Sequence, residues 1–170
     1  MSENRAKLGR RITRATQDKL RTLFLEQYRA YTDSVTKGPR VASMAEKAKV
    51  QRHLDTLNDP DSRWIFNLDR AVKPLIWISA NFKHALGIMK GKAFRPEPWE
   101  TWDIMDLFGW EDRNTGVRRF NQAYWQIPRK NGKSTIAGAI IDYLAFGDDY
   151  PGAICAVASN SLEQAGETFT

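Results

Sequence analysis

Cysteine and histidine are scarce in this chain. Its 170 residues include one cysteine, Cys155, and two histidines, His53 and His84. One thiol cannot close a disulfide within the chain. Cys155 sits in the apolar run Ala153 to Ala158, so a buried, reduced thiol and an intracellular setting are expected. No cysteine or carboxylate cluster accompanies either histidine in sequence, and no zinc site is expected. His84 reads as a partly buried surface residue. Long apolar runs are absent too: none approaches the roughly 20 residues that a bilayer-spanning helix needs. The first residues lack the apolar core of a signal peptide, and no internal repeat is visible. No membrane partner is expected. What remains is enough for a real core, with 42% hydrophobic residues and six tryptophans. The length allows one domain, or a domain with a small accessory region.

The net charge of +6 is unevenly placed. Residues 1–60 carry 13 Lys and Arg against 7 Asp and Glu, residues 61–118 carry 9 against 8, and residues 119–170 carry 4 against 5. The excess therefore lies in the first third, where Arg5, Lys7, Arg10, Arg11 and Arg14 precede the first helix. Such an arm suits nucleic-acid phosphates; a solvated tail is the competing reading.

Periodicity predicts a helix over Thr16 to Tyr31, with Leu20, Leu23, Phe24, Tyr28 and Tyr31 on one face. Ser43 and Glu46 form a capping box before a second helix carrying Met44, Ala48, Val50, Leu54 and Leu57, which Asn58-Asp59-Pro60 stops. A third helix is expected over Leu75 to Met89, with Pro74 in its first turn and Ile78, Phe82, Ala85, Leu86 and Met89 inward. A fourth starts at Pro98 and runs to about Phe108, with an apolar stripe of Trp99, Trp102, Met105 and Phe108.

The chemistry concentrates in Ile127-Pro128-Arg129-Lys130-Asn131-Gly132-Lys133-Ser134-Thr135. A strand-like run, Ala123 to Ile127, precedes it, and a helix-like run, Thr135 to Phe146, follows. Strand, basic loop, Gly-Lys-Ser and helix is the layout of a phosphate-binding P-loop. Unpaired amides at a helix start attract anions, and a loop that turns them inward cradles phosphate. Gly132 lets the backbone approach closely, Lys133 suits the β- and γ-phosphates, and the Ser134 hydroxyl suits Mg²⁺. The full pattern asks for a glycine where Ile127 stands, so an ordinary basic turn before a helix is the competing reading. The continuous apolar run Ala153 to Ala158 predicts a strand covered on both faces, parallel to the first. Together these make a βαβ unit. Ser161 and Gln164 form a capping box for a further helix from about Leu162.

The order of these features resembles the large terminase subunit of tailed bacteriophages. A Tyr-rich helix and Lys37-Gly38 come first, then Arg52-His53-Leu54, Gly91 and Phe94, Pro98-Trp99, and Phe108-Gly109-Trp110. Arg119-Phe120, the segment Pro128 to Thr135, and Gln164-Ala165 follow. In that family the first P-loop glycine is replaced and a basic pair is kept, as at Ile127 and Arg129-Lys130. The resemblance implies a P-loop NTPase fold, ATP and Mg²⁺ as cofactors, and phosphate binding by Arg129, Lys130, Asn131, Gly132, Lys133, Ser134 and Thr135. It implies catalytic roles for Arg129, acting on the γ-phosphate, and for Lys133, with Ser134 as the metal ligand. It assigns Trp99 and Glu100 to adenine recognition. Glu100 stands where the family usually has Gln, and an ionised Glu accepts hydrogen bonds but donates none. The partners implied are double-stranded DNA, a portal protein and a small terminase subunit, in the cytoplasm of a bacterial host.

The expected class is α/β: a partial P-loop sheet of parallel strands with flanking helices, after an N-terminal helical region. Residues 1–60 would form the basic arm and accessory helices, 61–118 a helical region leading to the adenine segment, and 119–170 the start of the ATPase core. No apolar run followed by Asp-Glu occurs after Ile127. The chain is therefore expected to be the front portion of such an ATPase and inactive alone. A helicase-like P-loop NTPase and a non-enzymatic DNA-binding or assembly module are the alternatives.

Overall fold

The structure is a computed structural model, and it describes residues 12–38, 40–84, 88–128, 130–148, 154–156 and 158. It contains α1 (Arg14–Thr36), α2 (Met44–Asn58), β1 (Trp64–Phe66), α3 (Leu68–Asn81), α4 (Pro98–Gly109), β2 (Trp110–Asp112) and α5 (Lys133–Asp142). A π-helical turn, Tyr143–Gly147, continues α5. The architecture is mixed helix with a two-stranded antiparallel sheet, in which Trp64 faces Asp112 and Phe66 faces Trp110. The chain divides into two compact units, one of Arg14–Leu75 with Pro96–Ala123, the other including Ile76–Arg95 and Tyr124 onward. The division falls inside α3.

In the first unit, α1 is longer than its periodicity predicts. Phe24, Tyr31 and Val35 are its buried residues, so the inner stripe runs on past Tyr31, while Leu23 is 41% exposed and lies off it. The capping box before α2 forms in both directions: the Glu46 N–H donates to Ser43 Oγ at 3.1 Å and the Ser43 N–H to Glu46 Oε2 at 3.0 Å. Val50 and His53 are the buried residues of α2, whereas Met44 is 89% exposed. The core here gathers Tyr31, Val35, Val50 and Trp102, with Tyr28, Leu54 and Trp99 packed against it. The Trp102 Nε1–H donates to Thr32 Oγ1 at 3.0 Å, and Lys49 pairs with Asp103 while its ammonium lies 4.7 Å from the Trp102 ring centre. Burying an indole of this size contributes on the order of 3 kcal/mol.

The third helix corrects the expected span of Leu75 to Met89. It starts at Leu68 and ends at Asn81, with Pro74 inside it. The Asn67 side chain accepts from the Asp69 and Arg70 N–H groups at 3.0 and 3.2 Å, capping the start. This Asn cap outweighs the proline as a start signal. The chain then turns: Lys83 bridges Ala93 antiparallel, and the Phe94 N–H donates to the Phe82 carbonyl. Phe82 and Met89 are thus not helical, and Ala85 and Leu86 lie outside the described residues. The half-buried His84 ring meets Phe94 edge-on at 5.5 Å.

The second unit holds α5, whose Ile136, Gly138, Ala139 and Ile140 are buried. Tyr143 continues the buried face and packs edge-on against Trp77 at 5.9 Å. A Cβ on Gly147 would stand 2.7 Å from both of these rings, so glycine is required there. The expected parallel strands are not shown. Among the described residues, 122–128 and 154–156 join no ladder, and β1 with β2 forms the only sheet. A parallel strand needs cover on both faces, and Tyr124 and Ile154 are 86% and 94% exposed. Ala153, Val157 and the capping box at Ser161 and Gln164 lie outside the described residues, as do Arg5, Lys7, Arg10 and Arg11.

Candidate nucleotide site

The basic loop enters α5 by a left-handed turn. Gly132 is the N-cap of α5 with φ 73°, and Lys130 has φ 68°. Glycine takes that conformation without a Cβ penalty, whereas lysine is held there at a cost of roughly 1 kcal/mol. The Gly132 carbonyl accepts the Ile136 N–H at 2.9 Å, which closes the first turn. Lys133 is thus the first helical residue, and its Nζ donates to the Ile127 carbonyl at 2.9 Å. That contact folds the side chain back across the loop. Lys130, Asn131, Gly132, Lys133 and Ser134 are exposed and Thr135 is half-buried. No acidic residue occurs from Ile127 to Ile141, so the loop and the start of α5 contribute no carboxylate of their own. Arg129 lies outside the described residues.

The second predicted segment opens α4 in the other unit. Pro98 occupies the first turn, where its missing N–H breaks no helix bond. Trp99 is half-buried against the Tyr31 and Trp102 cluster. Glu100 is 4% exposed, and its Oε2 accepts the Glu97 N–H at 2.8 Å. Burial pushes the Glu100 carboxyl up to about 6; the Glu97 N–H works against this and the Glu97 and Asp103 charges add to it. Glu100 thus caps its own helix.

Sequence reasoning missed one polar constellation, also in the first unit. His53, 3% exposed, places Nε2 2.5 Å from Tyr28 Oη and Nδ1 2.6 Å from Asp106 Oδ1. The Trp110 Nε1–H donates to the same Asp106 oxygen at 2.8 Å. The set is satisfied when Tyr28 donates to Nε2 and Asp106 accepts from His53 Nδ1 and from Trp110. The single carboxylate beside His53 comes from a residue distant in sequence. Two signals point to the set: His53 falls three residues after Val50 on the inner face of α2, and Asp106 lies four residues before Trp110. Burial raises the Tyr28 phenol well above its ordinary value, with the Asp106 charge adding to it. The geometry is that of a structural network, with a phenol kept protonated.

Among the described residues, no three His, Cys, Asp or Glu side chains gather to hold a metal ion, and no helix is long and apolar enough to cross a membrane. No curated protein and no solved structure matches the chain. Residues 98–170 match the family described as the terminase large subunit, ATPase domain. That stretch, which takes in α4, β2, the basic loop and α5, is similar to the ATPase domain of the terminase large subunit.

Proposed function

We propose that this chain is the ATP-binding front portion of a phage terminase large subunit, the motor that drives double-stranded DNA into a procapsid. The observation that carries the reading is Gly132, left-handed at the N-cap of α5, with Lys133 as the next residue. Its partners are then duplex DNA, a portal protein and a small terminase subunit, in the cytoplasm of a bacterial host.

The loop's chemistry fits a polyphosphate. Two lysines, an exposed hydroxyl and two left-handed backbone positions precede or open α5, with no nearby acid in sequence. In this reading Lys133 leaves the Ile127 carbonyl for the β- and γ-phosphates. The amides of residues 130 to 135 hold phosphate oxygens, and Ser134 ligates Mg²⁺. The metal, when bound, neutralises phosphate charge. Arg129 places a guanidinium on the γ-phosphate. Trp99 and Glu100 serve purine recognition. Residues 1–60, 61–118 and 119–170 then serve as the arm with accessory helices, the adenine region and the start of the ATPase core.

The test is a titration of a fluorescent ATP analogue into the chain and its Lys133→Ala variant, beside a steady-state ATPase assay. Magnesium-dependent binding, lost in the variant, is expected. The assay reports whether turnover accompanies binding and whether Lys133 serves it. Equal binding by both chains sinks the phosphate assignment. The variant Glu100→Gln tests the purine assignment: it should raise the preference for adenine over guanine nucleotides, and an unchanged preference removes Glu100 from that role.

A further inference from the structure

The loop before α5 carries a strain that the nucleotide reading leaves unexplained. Among the described residues, Lys130 is the only non-glycine with a positive φ, at 68°. Its Cβ is crowded against the backbone there, and such strain persists only where neighbouring contacts hold it. Lys130 is exposed, so burial does not hold it. One contact crosses the turn. The Lys133 ammonium, after Lys130 in the chain, donates to the carbonyl of Ile127, before it, at 2.9 Å. Ile127 is half-buried, which anchors that end. At the other end the Gly132 carbonyl accepts the N–H of the buried Ile136, which anchors the start of α5. The tie thus closes the turn between two held points, with Lys130 midway. A charged donor makes the bond strong enough to offset the strain.

We propose that the tie from Lys133 to Ile127 is an autoinhibitory latch, which keeps Lys130 left-handed until a polyphosphate draws the ammonium away. The proposal deepens the nucleotide reading and rests on it. In the resting loop the Lys133 charge is directed at a carbonyl, and a ligand must break that bond to reach it. A ligand shifts the loop only by the difference in its affinity for the two states. Lys133 supplies that difference, because only the untied ammonium can pair with an anion. Release lets Lys130 return to a right-handed or extended backbone. The strain given up then adds to binding, by about fivefold at the lower end of the left-handed penalty.

The test is calorimetric titration of inorganic tripolyphosphate, which has no base, into the full chain and its variants at residue 130. Lys130→Gln removes the charge and keeps the strained backbone. Lys130→Gly removes both, and should bind about fivefold more weakly than Lys130→Gln. Lys130→Asn tolerates the left-handed region without the freedom of glycine, and should also bind more weakly than Lys130→Gln. Equal binding by the three variants overturns the latch and leaves the phosphate reading standing. A loss confined to Lys130→Gly assigns the effect to glycine's freedom and also overturns it. Tighter binding by Lys130→Gly places the strain in the bound loop, which overturns it too. If the parent binds no tripolyphosphate, or Lys133→Ala binds it equally, the phosphate reading fails and takes the latch with it. A second measurement needs no ligand. Chemical denaturation compares Lys130→Gly with Lys130→Gln, each with and without Lys133→Ala. The advantage of Gly over Gln in the folding constant should be about fivefold larger when Lys133 is present. Absence of that coupling overturns the tie as the source of the strain.

Discussion

The unit built around Trp102 turns its polar groups inward and pairs them. Tyr28, His53, Asp106 and Trp110 satisfy one another, and Trp102 donates to Thr32. The loop before α5 does the opposite, leaving Lys130, Asn131, Gly132 and Ser134 exposed. A buried polar set must find its partners within the fold, because an orphaned group costs about 1–3 kcal/mol. An exposed cationic loop can wait for an external anion, since water serves it meanwhile. Stability and ligand chemistry are therefore expected to separate by region.

Substitutions at the core should show the largest effects. Trp102→Ala is expected to lose about 3–5 kcal/mol of stability by chemical denaturation, since it leaves a cavity where α1, α2 and α4 meet. Next comes His53→Ala, which leaves Tyr28 and Asp106 short of partners inside the fold. A loss of about 2–4 kcal/mol is expected. A His53→Ala chain melting with the parent would break the contrast. Across the divide, Lys133→Ala should change stability by no more than about 0.5 kcal/mol while nucleotide binding is lost. Gly132→Ala forces an alanine into a left-handed φ and should cost about 1 kcal/mol by thermal melt.

One further effect depends on pH. The folded pKa of Glu100 is raised from 4.5 to about 6. The folded chain thus holds a proton there that the unfolded chain releases, and this contribution to stability falls as pH rises from 4.5 towards 6. Arg63 holds the Asp112 carboxyl well below its ordinary value, helped by the Thr115 and Asn114 N–H groups. Its contribution has the other sign: present above 3.8, it is lost as pH falls below that value. Melts of Glu100→Gln against the parent should converge below pH 4.5 and diverge above 6, the variant being the more stable. A constant difference across that range removes Glu100 as the cause.

Local signals in the sequence located much of the frame. Ser43 with Glu46 and Pro98 in the first turn of α4 each act within a few residues, whereas the helix read from Thr135 starts two residues earlier, at Lys133. The terminase resemblance was legible for the same reason, because neighbouring residues carry it. Proline misled in α3: Pro74 read as a start, while Asn67 seven residues earlier made the cap.

Other features needed the fold. Leu23 and Met44 belong to apolar periods yet stand exposed, because packing, not period, chooses how wide a buried stripe is. His53 reads as an isolated histidine until α2 and α4 bring Asp106 to 2.6 Å from it. Trp64, Trp110 and Arg119 come together only when β1 pairs with β2. Caps, turns and helix starts are set by short-range sterics and hydrogen bonds, which sequence spacing encodes directly. Partners drawn from distant segments are set by which apolar faces bury one another, and that choice belongs to the tertiary structure.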